Sequence, residues 1–239
     1  MRALNWVVDL LFPPRCPACG IRTAQPDFCA QCRASIPVVA APLCPICGVP
    51  FAGAGPDHLC AHCIECRPRF DAARACATYR RDTPNPLIDV LQRLKYARDV
   101  SVASVLGTFM AAHMPLAIDH DLIVPVPLHR ERLRWRGFNQ SAGLARAVGR
   151  ATRRPVEALA LARVRATPPQ VGLGVAERRL NVRGAFAVRR PAAVHSRTVL
   201  LIDDVMTTGA TADACAHALR QGGARRVDVL VLARALDHA

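Results

Sequence analysis

Apolar residues fall along this chain of 239 residues in short runs that stop abruptly, and in its second half the runs alternate with stretches of helical period. Three runs, 121–126, 198–203 and 227–233, suit strands covered on both faces. The first is halted by Pro125 and Pro127, as a core strand must be where it stops sharply. Helical periods occupy 86–97, 141–150 and 213–220. Strands separated by helices predict an α/β fold, with a mainly parallel sheet flanked by helices. The segment carrying Arg130, Arg132, Arg134 and Arg136, with Trp135 and Gly137 among them, is expected to be a basic loop. Residues 163–183, with Thr167-Pro168-Pro169-Gln170 and two glycines, predict a mobile loop leading into a short helix that holds Glu177, Arg178 and Arg179. Residues 1–69 are rich in proline and glycine with little periodicity, so a small module precedes a domain at 70–239. Within it, residues 3–12 predict a short amphipathic helix packed on the body of the protein.

The run at 199–202 ends in Asp203 and Asp204 and then in a small, hydroxyl-rich segment, Val205 to Thr211. A buried parallel strand presents its ligand at its carboxyl end, which is where these groups fall. Backbone amides of Thr208, Gly209 and Ala210 would open the next helix, where amides and dipole together favour a phosphate. Hydroxyls of Thr207, Thr208 and Thr211 add donors, and the two carboxylates are acceptors suited to the hydroxyls of a ribose. The order of groups fits a ribose 5-phosphate; the plainer alternative is a strand–turn–helix in which Asp and Thr only cap the helix. A P-loop ATPase also has an apolar strand ending in two aspartates, but it requires G-x-x-x-x-G-K-[ST]. The sole lysine, Lys95, follows Leu94, which excludes that motif.

Nine of the eleven cysteines lie between positions 16 and 66, mostly as C-x2-C pairs. In a reducing compartment such pairs point to zinc rather than to disulfides. Read sequentially, Cys16, Cys19, Cys29 and Cys32 form one four-thiolate site, and Cys44, Cys47, Cys60 and Cys63 a second. Both are closed and therefore structural, replacing a core that this segment cannot otherwise build. Cys66, His58 and His62 compete as ligands. Cys76 and Cys215 stand alone in apolar surroundings, as small buried residues do.

Charge extends the picture. The net charge is +14, of which residues 1–69 carry +2 and residues 70–239 carry +12. A polyphosphate ligand needs such local positive charge, and a whole-domain excess also attracts single-stranded DNA through its phosphates. Aromatic residues make up only 5%, which leaves few stacking platforms. Arg136 and Gly137 are candidates for holding a leaving pyrophosphate, since a guanidinium matches phosphate oxygens in bidentate geometry. All other Lys and Arg positions are arginine, so Lys95 suggests a place where a compact ammonium is needed. No apolar run reaches the roughly 18 residues of a membrane span, and a cytoplasmic location is the default expectation.

The segment LLIDDVMTTGAT (residues 200–211) resembles the phosphoribosyl pyrophosphate (PRPP) loop of type I phosphoribosyltransferases. Taken together with the cysteine knuckles, Arg67-Pro68-Arg69-Phe70-Asp71, Leu94-Lys95-Tyr96, VPVPLHR (124–130), RGFNQ (136–140), Gln170, Glu177 to Val182 and Ala185-Phe186, the chain resembles the ComF family. It departs at Arg67, where that family commonly has proline. The resemblance implies a double zinc ribbon followed by a type I phosphoribosyltransferase-like domain that binds PRPP with Mg2+. On that basis Asp203, Asp204, Arg136 and Lys95 are candidates for the reaction, and Thr207, Thr208, Gly209, Ala210, Thr211 and Gly137 for holding the ligand. The acceptor of the sugar is not given by the sequence. The alternative is a non-catalytic PRPP or nucleotide sensor, or a DNA-binding factor working with competence proteins in DNA uptake.

Overall fold

The computed structural model describes residues 13–80, 82–114, 119–168 and 174–236. The helix expected at 3–12 and Gln170 lie outside the described residues. Along the chain come α1 (Ala30–Ala34), α2 (Ala61–Glu65), β1 (Ala72–Tyr79), α3 (Pro86–Tyr96), α4 (Val102–Ala112) and β2 (Leu122–Pro125). There follow α5 (Arg130–Arg136), α6 (Gln140–Thr152), β3 (Leu161–Arg163), α7 (Val175–Val182), β4 (Phe186–Val188) and α8 (Pro191–Val194). The last three elements are β5 (Thr198–Met206), α9 (Ala210–Gln221) and β6 (Arg226–Ala235).

Four strands form a parallel sheet in the order β1-β6-β5-β2, the mainly parallel, helix-flanked architecture that the sequence predicts. Side chains alternate across a strand, so each strand feeds two cores. Val199 and Leu201 of β5, with Val227, Val229 and Val231 of β6, face α9. Leu200 and Ile202, with Leu230 and Leu232, face α3, α4 and α6. The short antiparallel pair β3–β4 lies beside the first of these faces.

Two expectations are corrected. The segment with Arg130, Arg132, Arg134 and Arg136 is not a loop but the helix α5, closed by Gly137 at φ 85°. Arginine and leucine favour a helix, and a left-handed residue after the last turn terminates it at little cost when that residue is glycine. Strand β5 also runs beyond Asp203 to Met206, because β6 continues beside it as far as Ala235 and pairs Met206 with Arg234.

The cysteine-rich segment does not sit apart from the sheet. Cys16, Phe28 and Ile36 enter the core of the α3–α4 face, whereas Cys44, Ile46, Cys47, Val49 and Cys63 enter the core of the α9 face. Residues 37–39 also shield the outer edge of β1, through Thr78 N to Pro37 O (2.8 Å) and Val39 N to Cys76 O (3.2 Å). This covers an edge that would otherwise be open to foreign strands.

Phe109 of α4 is 1% exposed and meets the Phe28 ring edge-on at a centroid distance of 6.0 Å. Removing its ring leaves a cavity where the cysteine-rich segment meets the body of the protein. Phe109→Ala should cost about 3–5 kcal/mol in urea-induced unfolding, against less than about 1 kcal/mol for truncation of the exposed Leu133.

Candidate functional site

Strand β2 ends at Pro125, paired with Ile202, while β5 continues for four more residues. Beyond that point β5 has a neighbour on one side only, and its backbone opens onto a cavity of about 280 Å3. Asp203 and Asp204 line this cavity together with Lys95, Arg132, Arg136, Gln140, Ser141, Arg163, Arg178, Thr207 and Thr211. The candidates Asp203, Asp204, Lys95 and Arg136 are thus brought into one site from three different elements, β5, α3 and α5.

Each group is held by its own element. Lys95, in the last turn of α3, donates from Nζ to Asp204 Oδ1 at 2.8 Å. Asp204 Oδ2 is buried, with no hydrogen-bond partner among the described residues. Asn139 caps α6 by accepting from Ser141 N at 3.0 Å, and its amide group donates to Val126 O, tying the helix start to the end of β2. That places Ser141 so that its hydroxyl donates to Asp203 Oδ1 at 2.9 Å. Arg136 is 2% exposed; its Nη1 donates to Gln140 Oε1 at 2.8 Å, and its guanidinium lies 5.8 Å from the Tyr96 ring centroid. From the far side Arg163 lies over the Phe186 ring, and its buried Nε has no hydrogen-bond partner among the described residues.

Burial, and then the neighbouring charge of Asp204, pushes the Asp203 carboxyl up to about 7, against the pull of its hydrogen bonds from Asp204 N and Ser141 and of the Lys95 charge. Burial also draws the Arg136 guanidinium below its ordinary value, an effect reinforced by Arg132 and opposed by Asp204. A desolvated cation and a half-neutralised acid pair together form a site that an anion with hydroxyl groups would complete.

The turn after β5 is sharp. Gly209 adopts φ 82° immediately before α9, where a side chain would be strained. Thr207, Gly209, Ala210 and Thr211 line a second recess of about 50 Å3 beside Asp203 at the start of that helix. Thr208 lines neither hollow; its hydroxyl accepts from Ala210 N at 3.4 Å, as a local cap. Gly137 falls instead on a larger cavity of about 900 Å3, which shares Pro127, Leu128, Gln140 and Arg163 with the acid-pair site.

Ser141 and Arg163 escape sequence reasoning. Ser141 precedes Asp203 by 62 positions, and nothing local marks the contact. The Asn139-x-Ser141 cap was the one available signal that a helix start is pinned there.

The eight paired cysteines gather into two clusters, Cys16–Cys19–Cys29–Cys32 and Cys44–Cys47–Cys60–Cys63, with the four sulfurs of each within 4.8 Å of one another. The Sγ atoms of Cys19 and Cys29 are 3.7 Å apart, and those of Cys47 and Cys60 3.6 Å. Tetrahedral zinc with Zn–S bonds near 2.3 Å requires about 3.8 Å, so both clusters fit the ion. Although burial opposes it, backbone amide hydrogen bonds lower the Cys16 thiol to about 6 and the Cys44 thiol to about 7, whereas burial, with neighbouring sulfurs adding to it, pushes the Cys32, Cys47 and Cys63 thiols up. The competing ligands are engaged or outside these sets: Cys66 is exposed, His58 stacks on Phe51, and His62 bonds Arg179. Cys76 and Cys215 are each 0% exposed, as the sequence predicts.

Comparison with known proteins agrees with this geometry. The double zinc ribbon domain family matches residues 7–81. Over 201 residues the chain is 34% identical to the DNA utilization protein YhgH of Escherichia coli, covering 81% of this chain and 85% of that protein. It is 30% identical over 226 residues to competence protein F of Haemophilus influenzae, covering 87% and 96%. Among solved structures, the glutamine PRPP amidotransferase from B. subtilis is similar with a TM-score of 0.39 and 24% identity, over 55% of this chain and 26% of that one. Two four-cysteine clusters ahead of a parallel sheet with an acid pair define a zinc-ribbon α/β protein. The chain belongs to the ComF family.

Metal analysis of protein purified without chelator should find about two zinc ions per chain. Cys47→Ser should lower the content to about one, because three remaining thiolates hold the ion far less tightly.

Proposed function

We propose that the chain binds PRPP and transfers its ribosyl 5-phosphate to an acceptor. The observation that carries this reading is the pair Asp203–Asp204, poised between a cation on one side and a glycine-turn helix start on the other. The carboxylates accept from the ribose hydroxyls. The recess at Thr207 to Thr211 takes the 5-phosphate at the head of α9, where amides and dipole favour an anion. Arg136 attends the pyrophosphate, while Gly137, which ends its helix, faces the neighbouring larger cavity; Lys95 steadies Asp204 while remaining within reach of the same anion.

In the reaction the bond from the anomeric carbon to pyrophosphate breaks, and pyrophosphate keeps the electron pair. A bond from the acceptor's nucleophile to that carbon forms, and the acceptor's proton leaves to solvent. Positive character develops on the sugar as negative charge gathers on the leaving group, so preorganised charge lowers the barrier more than any proton transfer. Mg2+ bound to PRPP would neutralise the pyrophosphate; the orphaned Asp204 Oδ2 and the neighbouring oxygens are a donor set that hard cations accept. The larger cavity beyond Arg163 is the space for an acceptor. Its lining combines Leu94, Ala142 and Leu161 with Arg130, Arg146 and Arg189, which suits a partly apolar, anionic molecule.

A second reading keeps the cradle as a sensor of PRPP or a nucleotide, in a protein that handles DNA during uptake. It is favoured by the names of the relatives, a DNA utilization protein and a competence protein, and by the described lining of the acid-pair cavity, which offers no histidine and no third carboxylate as general base. The domain's excess of positive charge suits nucleic acid as well as PRPP. Labelled PRPP offered with candidate acceptors separates the two readings: acceptor-dependent release of pyrophosphate marks the enzyme, and saturable binding without release marks the sensor.

Calorimetric titration with Mg2+ and PRPP should give at least about a tenfold loss of affinity, or roughly 1.4 kcal/mol, for Asp203→Ala and for Asp204→Ala. Unchanged affinity in both variants would remove the basis of the reading. Because the Asp203 carboxyl is raised to about 7, affinity should climb from pH 6 to pH 8 as it ionises. PRPP's own ionisation contributes equally in Asp203→Asn, so the difference between the two pH profiles isolates this residue.

A further inference from the structure

The two zinc clusters are not equivalent in what they touch. The first meets the body of the protein through α3 and α4, where Arg93 donates to Pro17 O and Phe28 meets Phe109. The second is built against β1 and β6, in the core on the α9 face of the sheet. Its Cys44–Gly48 turn lies against β1, with Ala73 N donating to Ile46 O at 2.6 Å. A Cβ on Gly48 would lie 2.3 Å from Ala73 O, so only glycine permits this approach. From β6, Arg234 Nη1 donates to Cys47 O at 2.7 Å. The cluster is therefore fixed to β1 and to β6, the strand that pairs with the acid-pair strand β5.

Its other two ligands are Cys60, at the N-cap of the five-residue helix α2, and Cys63, within it; the helix is too short to persist without an anchor. Between them stands His62, whose Nε2 accepts from Arg179 Nη2 at 3.0 Å across 117 positions of sequence. Arg179 belongs to α7, and its neighbour Arg178, turned about 100° around that helix, is 3% exposed and lines the acid-pair cavity. Helix α7 packs otherwise on α9.

We propose that the second zinc ribbon is the positioning device for α7: His62, held between two metal ligands, fixes Arg179 and so sets Arg178 in the cradle. Metal occupancy at the second cluster then regulates ligand affinity, whereas occupancy at the first contributes stability alone. The choice of PRPP as the ligand rests on the function proposed above; the mechanical link does not.

The test uses the full chain loaded with zinc. His62→Ala and Arg179→Ala should keep about two zinc ions per chain, speed amide hydrogen exchange in α7, and weaken PRPP binding by roughly fivefold. His62→Gln, whose amide oxygen also accepts, should restore both. Arg178→Ala should weaken binding without speeding exchange, and adding His62→Ala to it should cost little more, because the two act in series. Unchanged α7 exchange in His62→Ala, or losses that simply add in the double variant, would overturn the proposal. If the exchange responds as expected but the parent protein itself binds no PRPP, the link stands and the choice of ligand falls. Cys19→Ser and Cys63→Ser, each checked for a loss of one zinc ion, complete the experiment. Only Cys63→Ser should alter α7 exchange, and an equal effect of Cys19→Ser would count against the asymmetry.

Discussion

The site depends on unequal strand length. Strand β2 stops at Pro125, which can donate no ladder hydrogen bond, and β5 runs on beside β6 alone. Asp203 and Asp204 are thus fixed on one side by a fully paired strand and left open on the other to whatever α3, α5 and α6 present. A longer β2 would bury the acid pair in an ordinary ladder. A shorter β6 would leave it on a loose loop. The rigidity of one edge and the openness of the other allow two adjacent carboxylates to persist at 2.8–2.9 Å from a lysine and a serine drawn from distant parts of the chain.

Electrostatics then decides which states the pair can occupy. Two neighbouring carboxylates in a partly dry cavity repel, and the single lysine relieves one of them directly. Asp203 is left with hydrogen bonds but no contacting cation, and it is the one whose carboxyl is raised. A buried Arg136 nearby stays beyond direct contact, engaged with Gln140 and Tyr96. The arrangement stores unmet charge of both signs in one hollow, as expected of a site organised for a ligand rather than for its own stability.

Much of this was legible in the sequence, for definable reasons. Strands β2, β5 and β6 announce themselves as apolar runs because they are covered on both faces, and α3, α6 and α9 by their period. Strand β1 was missed because Ala72–Tyr79 is built largely of alanine, with Arg74 within it and a single β-branched residue, Thr78; packing rather than propensity makes it a strand. The pair β3–β4 has three residues in each strand, too few for any period to show. The cysteine spacing located both metal clusters but left the ligands ambiguous, and folding resolves this by giving His62 and His58 other partners. Lys95 stands out as an anomaly of composition and within the Leu94-Lys95-Tyr96 motif, but its contact with Asp204, across 109 positions, has no local trace.

Strand β1 has its sheet partner only in β6, the last described strand, and Arg234 of that strand reaches back 187 positions to Cys47. A ribosome therefore releases the metal-binding thiols long before the surface that receives them exists. Until β6 emerges, the second knuckle can lie against β1 but lacks the Arg234 contact that holds Cys47. Such distant closure makes acquisition of the native state slow. Zinc taken up in that interval would tie the paired thiolates together before the strand that completes their surroundings exists.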